Sequence, residues 1–206
     1  SINAGFSRLY NAKHNLVVGS EYGKICSINH IKNWWYLDAC ATRSHQDKAL
    51  NSNNTSNYTL STSKIFGGNK RNYSAFTSGF NNLRTEKYTQ DQLRFGYEIL
   101  NPDGWNFGLN VTFGEAVENV LTLQNSVEIS YTRFIENKPL KINLKTTNYS
   151  GSKLFGYERS DRSRTINLSI PLTQRFIFTI GVTEMNSSID YYDSLTPIFG
   201  FRYQPS

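Results

Sequence analysis

The chain has 206 residues, 38% of them hydrophobic and 14% aromatic, with a formal charge of +6. No apolar run reaches the roughly 18 residues of a membrane-crossing helix, so that class is excluded. Thirteen Tyr, thirteen Phe and a single Met, among many Asn, Ser and Thr, disfavour a helical protein and favour strands, turns and polar loops.

In chain order, the first strand candidates are 2–10, 16–25, 34–42, 58–66 and 73–80, where alternation is irregular. The sequence opens on "SINAGFSRLY" with no visible leader, as expected of a protein made without one, a mature chain or a fragment. Cys26 and Cys40 stand fourteen positions apart. They fit either one disulfide or two buried thiols, and the register expected here sets Cys40 nearer Tyr22 than Cys26. No CxxC is present, so no metal site is assigned.

The second half alternates regularly. In "QLRFGYEI" Leu93, Phe95, Tyr97 and Ile99 share one face and Gln92, Arg94, Gly96 and Glu98 the other. "WNFGLNVTFG" sets Trp105, Phe107, Leu109, Val111 and Phe113 against Asn106, Gly108, Asn110, Thr112 and Gly114, a face with no charge and little bulk. The same rhythm continues in "SVEISYTR", "LKINLKTT", "RTINLSIPL", "RFIFTIGVT" and the closing "TPIFGFRYQPS". This gives eleven or twelve strands, each roughly 8 to 11 residues long. The best helical window, "GEAVENVLTL" at 114–123, is short and uncapped. No linker divides the sequence, so a single domain over 1–206 is expected, either whole or as the C-terminal part of a longer protein.

Connections alternate in length. "GGNK", "NPDG", "ENKP" and "PLTQ" read as tight turns, whereas residues 44–56, 81–92, 148–161 and 184–194 read as long polar loops. In an up-and-down meander, alternate connections fall at one end. One end therefore carries short turns and the other long loops. Together with large-out, small-in alternation, this resembles bacterial outer-membrane β-barrels as a class, over the whole chain. "FGFRYQPS" looks like the aromatic-rich last strand of such barrels, although Gln204, Pro205 and Ser206 follow Tyr203. Size and strand count are similar to narrow twelve-stranded porins for acidic oligosaccharides, and to translocator and export barrels; no specific motif selects among them. The resemblance implies an all-β, up-and-down antiparallel transmembrane barrel of about twelve strands.

On that fold, the expected lining charges are Arg94, Glu98, Glu128, Lys141, Lys145, Arg175 and Arg202, with Glu21 and Asp38. Lys141, Lys145, Arg175 and Arg202 would form a basic wall apart from the acids, suited to a small anionic or sugar-like solute. Trp35, Trp105, Phe201 and Tyr203 are the expected interface aromatics, at the short-turn end. The implied partners are the lipid bilayer of the outer membrane, the solute, and an attached periplasmic domain if the chain is a fragment.

The charge also raises nucleic acid. The 22 Lys and Arg are scattered, and acids interrupt "ERSDRSR", so none is expected. His45 with Asp47 is a weak acid–base pair, and no GxSxG, HExxH or P-loop spacing occurs; neither enzyme activity nor a cofactor is assigned. The alternative is a secreted soluble β-sandwich that binds carbohydrate through exposed aromatics and packs Phe107, Leu168 and Phe178 between two sheets.

Overall fold

A computed structural model describes residues 2–13, 16–31, 35–48, 51–67, 73–135, 138–154, 156–173 and 176–203. These residues form twelve β-strands and one 3-10 turn at Asp190–Tyr192. The strands are β1 (Ile2–Lys13), β2 (Leu16–His30), β3 (Trp35–Lys48), β4 (Asn51–Gly67), β5 (Tyr73–Thr85) and β6 (Thr89–Asn101). They continue as β7 (Trp105–Gly114), β8 (Thr122–Ile135), β9 (Lys138–Leu154), β10 (Tyr157–Pro171), β11 (Phe176–Ser187) and β12 (Ser194–Tyr203). Sheet order is chain order, β1 through β12, so each connection is a hairpin. The architecture is the expected all-β, up-and-down antiparallel meander.

Two compact units make up the chain. One comprises Ser1–Lys64 and Thr77–Arg94; the other comprises Ile65–Phe76 and Phe95–Ser206. In the first, the β2–β3 register sets Cys26 directly opposite Cys40, and the two are bonded as a disulfide. The register expected from sequence was therefore wrong, while the pairing it left open is made. β2 extends to His30 and β3 starts at Trp35, so the hairpin closes symmetrically about the turn and brings the two cysteines level.

Strands are longer than the sequence suggested. β3 runs to Lys48 and β4 begins at Asn51; β5 runs to Thr85 and β6 begins at Thr89; β9 runs to Leu154 and β10 begins at Tyr157. The polar stretches expected as loops thus carry three hairpins onward. Side-chain hydrogen bonds hold them where apolar alternation ends: Asn54 donates from its backbone and its side chain to Glu86, at 3.2 and 2.8 Å. His45 and Asp47 accordingly lie within a strand, paired with Asn54 and Ser52.

The burial pattern is inverted. Among the described residues no hydrophobic side chain is buried, whereas Gln90, Thr122, Ser126, Thr147 and Asp161 are. Exposed side chains include Leu60, Phe80, Leu93, Phe95, Phe113, Ile142, Leu144, Ile166, Phe199 and Phe201. A soluble sandwich would enclose Phe107, Leu168 and Phe178 between two sheets. All three are instead only half-buried, and their strands belong to one sheet, so that alternative does not describe this fold.

Within the second unit, residues 115–121 join β7 to β8 without helix. This connection rests on Gly151 of β9, whose φ is +107°. A Cβ there would lie 2.6 Å from the carbonyl oxygens of both Val117 and Val120. Gly151→Ala is expected to lower stability by about 1–3 kcal/mol, through both the positive φ and the collision. Denaturant titration in detergent reads this, with Gly156→Ala, which has open space around it, as the comparison for φ alone.

Candidate solute-lining face

The polar face of the second unit is built from cross-strand rows. One row runs Asn110 (β7), Glu128 (β8), Lys145 (β9), Thr165 (β10), Thr183 (β11) and Thr196 (β12). Beside it runs Gly108, Ser130, Asn143, Asn167, Gly181 and Ile198. The next is Asn106, Thr132, Lys141, Ser169, Thr179 and Gly200. Side-chain period two puts all these positions on one face.

Short polar groups on this face bond across the strands. Asn143 donates to Glu128 at 2.6 Å. Ser126 and Thr147 share a hydrogen bond of 3.2 Å, as do Thr165 with Thr183 and Ser169 with Thr179 at 3.0 Å each. The glycines leave room for neighbours. A Cβ on Gly108 would meet the Ser130 hydroxyl at 2.6 Å and Glu98 Cγ at 3.6 Å, and one on Gly181 would collide with the Asn167 side chain and the Ile166 carbonyl. The small face in "WNFGLNVTFG" is therefore where side chains of adjacent strands lie across the backbone.

The expected lining residues fall as follows. Lys141 and Lys145 are exposed on this face, and Glu98 reaches it beside Gly108. Glu128 is the register partner of Lys145, so at this point acid and base stand side by side. Among the described residues no ion pair within 4 Å joins those two, and the Glu128 carboxylate is already engaged by Asn143. Arg202 sits two positions beyond Gly200 on β12, with its backbone opposite Ile177; Arg175 lies outside the described residues. Arg94 belongs to the first unit and is exposed.

That first unit has a polar face of its own. Thr59 donates to Asn81 (3.2 Å), Asn81 to Gln92 (3.0 Å) and Gln92 to the buried Gln90 (2.9 Å). Thr59 stands opposite Cys40, whose Sγ lies 3.4 Å from an Asp38 oxygen. Glu21, also expected on the lining, pairs through its backbone with Arg8 and His45; its side chain lies outside the described ones.

The aromatics expected at a membrane interface stand, in each unit, where odd-numbered strands begin or even-numbered strands end. Trp35 opens β3 with the Lys64 ammonium 5.0 Å from its ring centroid. Trp105 opens β7 and is half-buried. Phe201 is exposed and packs 5.8 Å from Phe176 and 6.1 Å from Phe178, centroid to centroid. Tyr203 ends β12 opposite Phe176.

Sequence reasoning missed a network at the other end of the second unit. Arg159 donates to Asp161 through Nε and Nη2, at 2.6 Å for the closest contact, and Ser187 donates to the same carboxylate at 2.6 Å. The guanidinium lies 3.6 Å from the Tyr192 ring centroid. These residues lie beyond the apolar stretch of β10, which starts at Ile166. Burial pushes the Asp161 carboxyl up, but the hydrogen bonds from Arg159 and Ser187 and the charge of Arg159 outweigh it and hold it below the ordinary carboxylate range. The hydrogen bond to Asp161 raises Arg159 further, against burial. The register shifts here, Arg159 pairing with Ser152 and Asp161 with Tyr149, and the sequence pattern carries no sign of it.

Because the folded pKa of Asp161 is depressed, its contribution to stability is full above the unfolded value near 3.9 and fades as pH falls through the lower folded one. The rim is therefore expected to hold between about pH 5 and 8 and to loosen only well below pH 4. Asp161→Asn at pH 7 should remove about 1.5–3 kcal/mol of charge-assisted bonding, and accelerate amide exchange across 187–193 by about ten- to hundredfold. Hydrogen exchange with mass spectrometry checks this.

Neither a family model nor a curated protein matches the sequence. A solved chain described as "KdgM porin" is similar at 9% identity and a TM-score of 0.46, with 91% of this chain and 94% of that chain covered.

Proposed function

We propose that this chain is a transmembrane β-barrel of the bacterial outer membrane, and that its polar face lines a narrow passage for a small anionic or sugar-like solute. The inverted burial supports this reading: large apolar side chains lie exposed while short polar ones are buried. Hydrocarbon supplies the missing contact for Phe95, Phe113, Ile142, Leu144 and Ile166, and water inside tolerates Asn, Thr, Ser and Gly. Closure of the sheet follows from the same premise, since open strand edges carry unpaired backbone groups that lipid cannot satisfy. The strands, at 10 to 17 residues, reach the length needed to cross with tilt.

Solute class follows from the lining. Lys141 and Lys145 offer ammonium groups on β9 while Glu128 is occupied by Asn143. Asn106, Asn110, Thr132, Thr165 and Ser169 surround them with donors and acceptors of the kind that sugar hydroxyls exchange with water. Acidic or hydroxyl-rich solutes fit such a surface better than cations or apolar molecules.

Two outcomes are expected. The purified protein should stay monodisperse only in detergent; a monodisperse protein in plain buffer overturns the membrane reading. In planar bilayers, discrete conductance with anion preference should appear. Lys141→Glu with Lys145→Glu should reduce that preference by about fivefold, the effect of roughly 1 kcal/mol of charge–solute energy. Absence of any conductance would reject the open passage and leave a sealed anchor.

A further inference from the structure

A groove of about 570 Å³ opens at the turn end of β9 and β10, lined by Leu154, Tyr157, Glu158, Ile189, Tyr191 and Tyr192, with Ser188 at its base. It lies wholly in the second unit and apart from the polar rows described above. Its aromatic walls stand open: Tyr157 is 74% exposed and Tyr191 88%. Tyr191 and Tyr192 meet edge to face, with centroids 5.3 Å apart and planes at 86°. Two perpendicular rings make a corner, and Tyr157 lies on the same groove.

The corner is held in place by several bonds. Ser188 donates its backbone N–H to the Ser160 carbonyl at 2.8 Å and its hydroxyl to the Glu158 carbonyl at 3.3 Å, while its Oγ accepts from the Ser160 N–H at 3.0 Å. Asp193 accepts from the Ser187 N–H at 2.6 Å. Arg159, fixed by Asp161, braces Tyr192 from one side. The tyrosines are thus exposed on a fastened base, and that combination needs a reason.

Charge selects the occupant. With Arg159 and Asp161 paired to each other, three carboxylates, Glu158, Asp190 and Asp193, stand on these segments against one further cation, Lys153, in a protein of net charge +6. Lys153 is the register partner of Glu158, and among the described residues no ion pair within 4 Å joins them. Ring faces carry negative potential and attract cations, most strongly where water is partly excluded. Arg159 over Tyr192 shows this chemistry within the protein itself. Leu154 and Ile189 add an apolar wall suited to an alkyl body.

We infer that this groove is a binding site for an organic ammonium ligand, its cationic head in the tyrosine corner near Glu158 and its alkyl part against Leu154 and Ile189. None of its residues belongs to the polar rows that line the proposed passage.

The test uses the full chain in a nonionic polyoxyethylene detergent, with butyltrimethylammonium as probe and its neutral carbon isostere as control, followed by calorimetry. Saturable binding of the cation is expected, at least about tenfold tighter than the isostere. Tyr191→Ala, at a side chain too exposed to matter for folding, should weaken it about tenfold, and Glu158→Gln about threefold. Lys141→Glu should leave it unchanged. Equal binding of cation and isostere would overturn the proposal in favour of an unselective apolar groove. No saturation, or full affinity in Tyr191→Ala, would also overturn it, whatever the conductance experiment gives.

Discussion

The constraint on which the structure depends is the placement of large apolar side chains. A water-soluble fold of this length would bury apolar area at about 25 cal/mol per Å² and derive most of its stability from it. This chain does not: among the described residues no apolar side chain is buried, and side chains as large as Phe199 and Phe201 are about two-thirds exposed, at 69% and 66%. Backbone ladders and polar rows remain, and these alone would be marginal in water. In the membrane proposed for this chain, surrounding hydrocarbon would change the balance, because an unpaired backbone group there costs several kcal/mol and the ladder becomes obligatory. The medium, more than a core, selects the fold.

The small polar face follows from that constraint. Once bulk is directed outward, strands crowd on the other side, and each side chain there lies across its neighbour's backbone. Gly108 accommodates Ser130 and Glu98, and Gly181 accommodates Asn167. Hydrogen bonds such as Ser126 to Thr147 satisfy groups that would otherwise be buried alone. On the proposed reading, passage and packing use the same residues: a polar lining that fits its own neighbours would also meet a hydroxylated or anionic solute with donors and acceptors already oriented.

Much of the fold was legible because period-two alternation is local. Leu140, Ile142 and Leu144 against Lys141, Asn143 and Lys145 mark a strand and its faces without any long-range information. Register was not legible, since it depends on where hairpins close. Cys26 and Cys40 were therefore displaced by four positions in the expected pairing, although their bond is the natural result of a symmetric hairpin. Polar strand extensions such as 44–48 or 157–161 were read as loops because alternation of apolar with polar residues ceases there while backbone pairing continues. The neighbourhood of Glu128 and Lys145 was hidden for a related reason: alternation puts both on the polar face, but only the β8–β9 register shows that they stand opposite each other. The disulfide is consistent with an oxidising compartment, as the envelope location proposed here requires.

The strand extensions separate two kinds of surface. Along the apolar band, most polar side chains on the other face are short, and several are bonded to their neighbours, as Ser126 is to Thr147 and Thr165 to Thr183. Beyond Ile166 the requirement for an apolar outer face lapses, and Arg162 and Arg164 appear on that same side of β10, the first bonded to Asn148 and the second 3.5 Å from Glu184. There, larger side chains can be held at angles a lining would not tolerate, as Arg159 is against Tyr192. The β9–β10 register shifts at this point, with Arg159 opposite Ser152 and Asp161 opposite Tyr149, and Arg159 reaches the Asp190–Tyr192 turn there. On the reading proposed here, recognition of bulky or charged groups falls where the strands outrun the bilayer, and passage of solute where they match it.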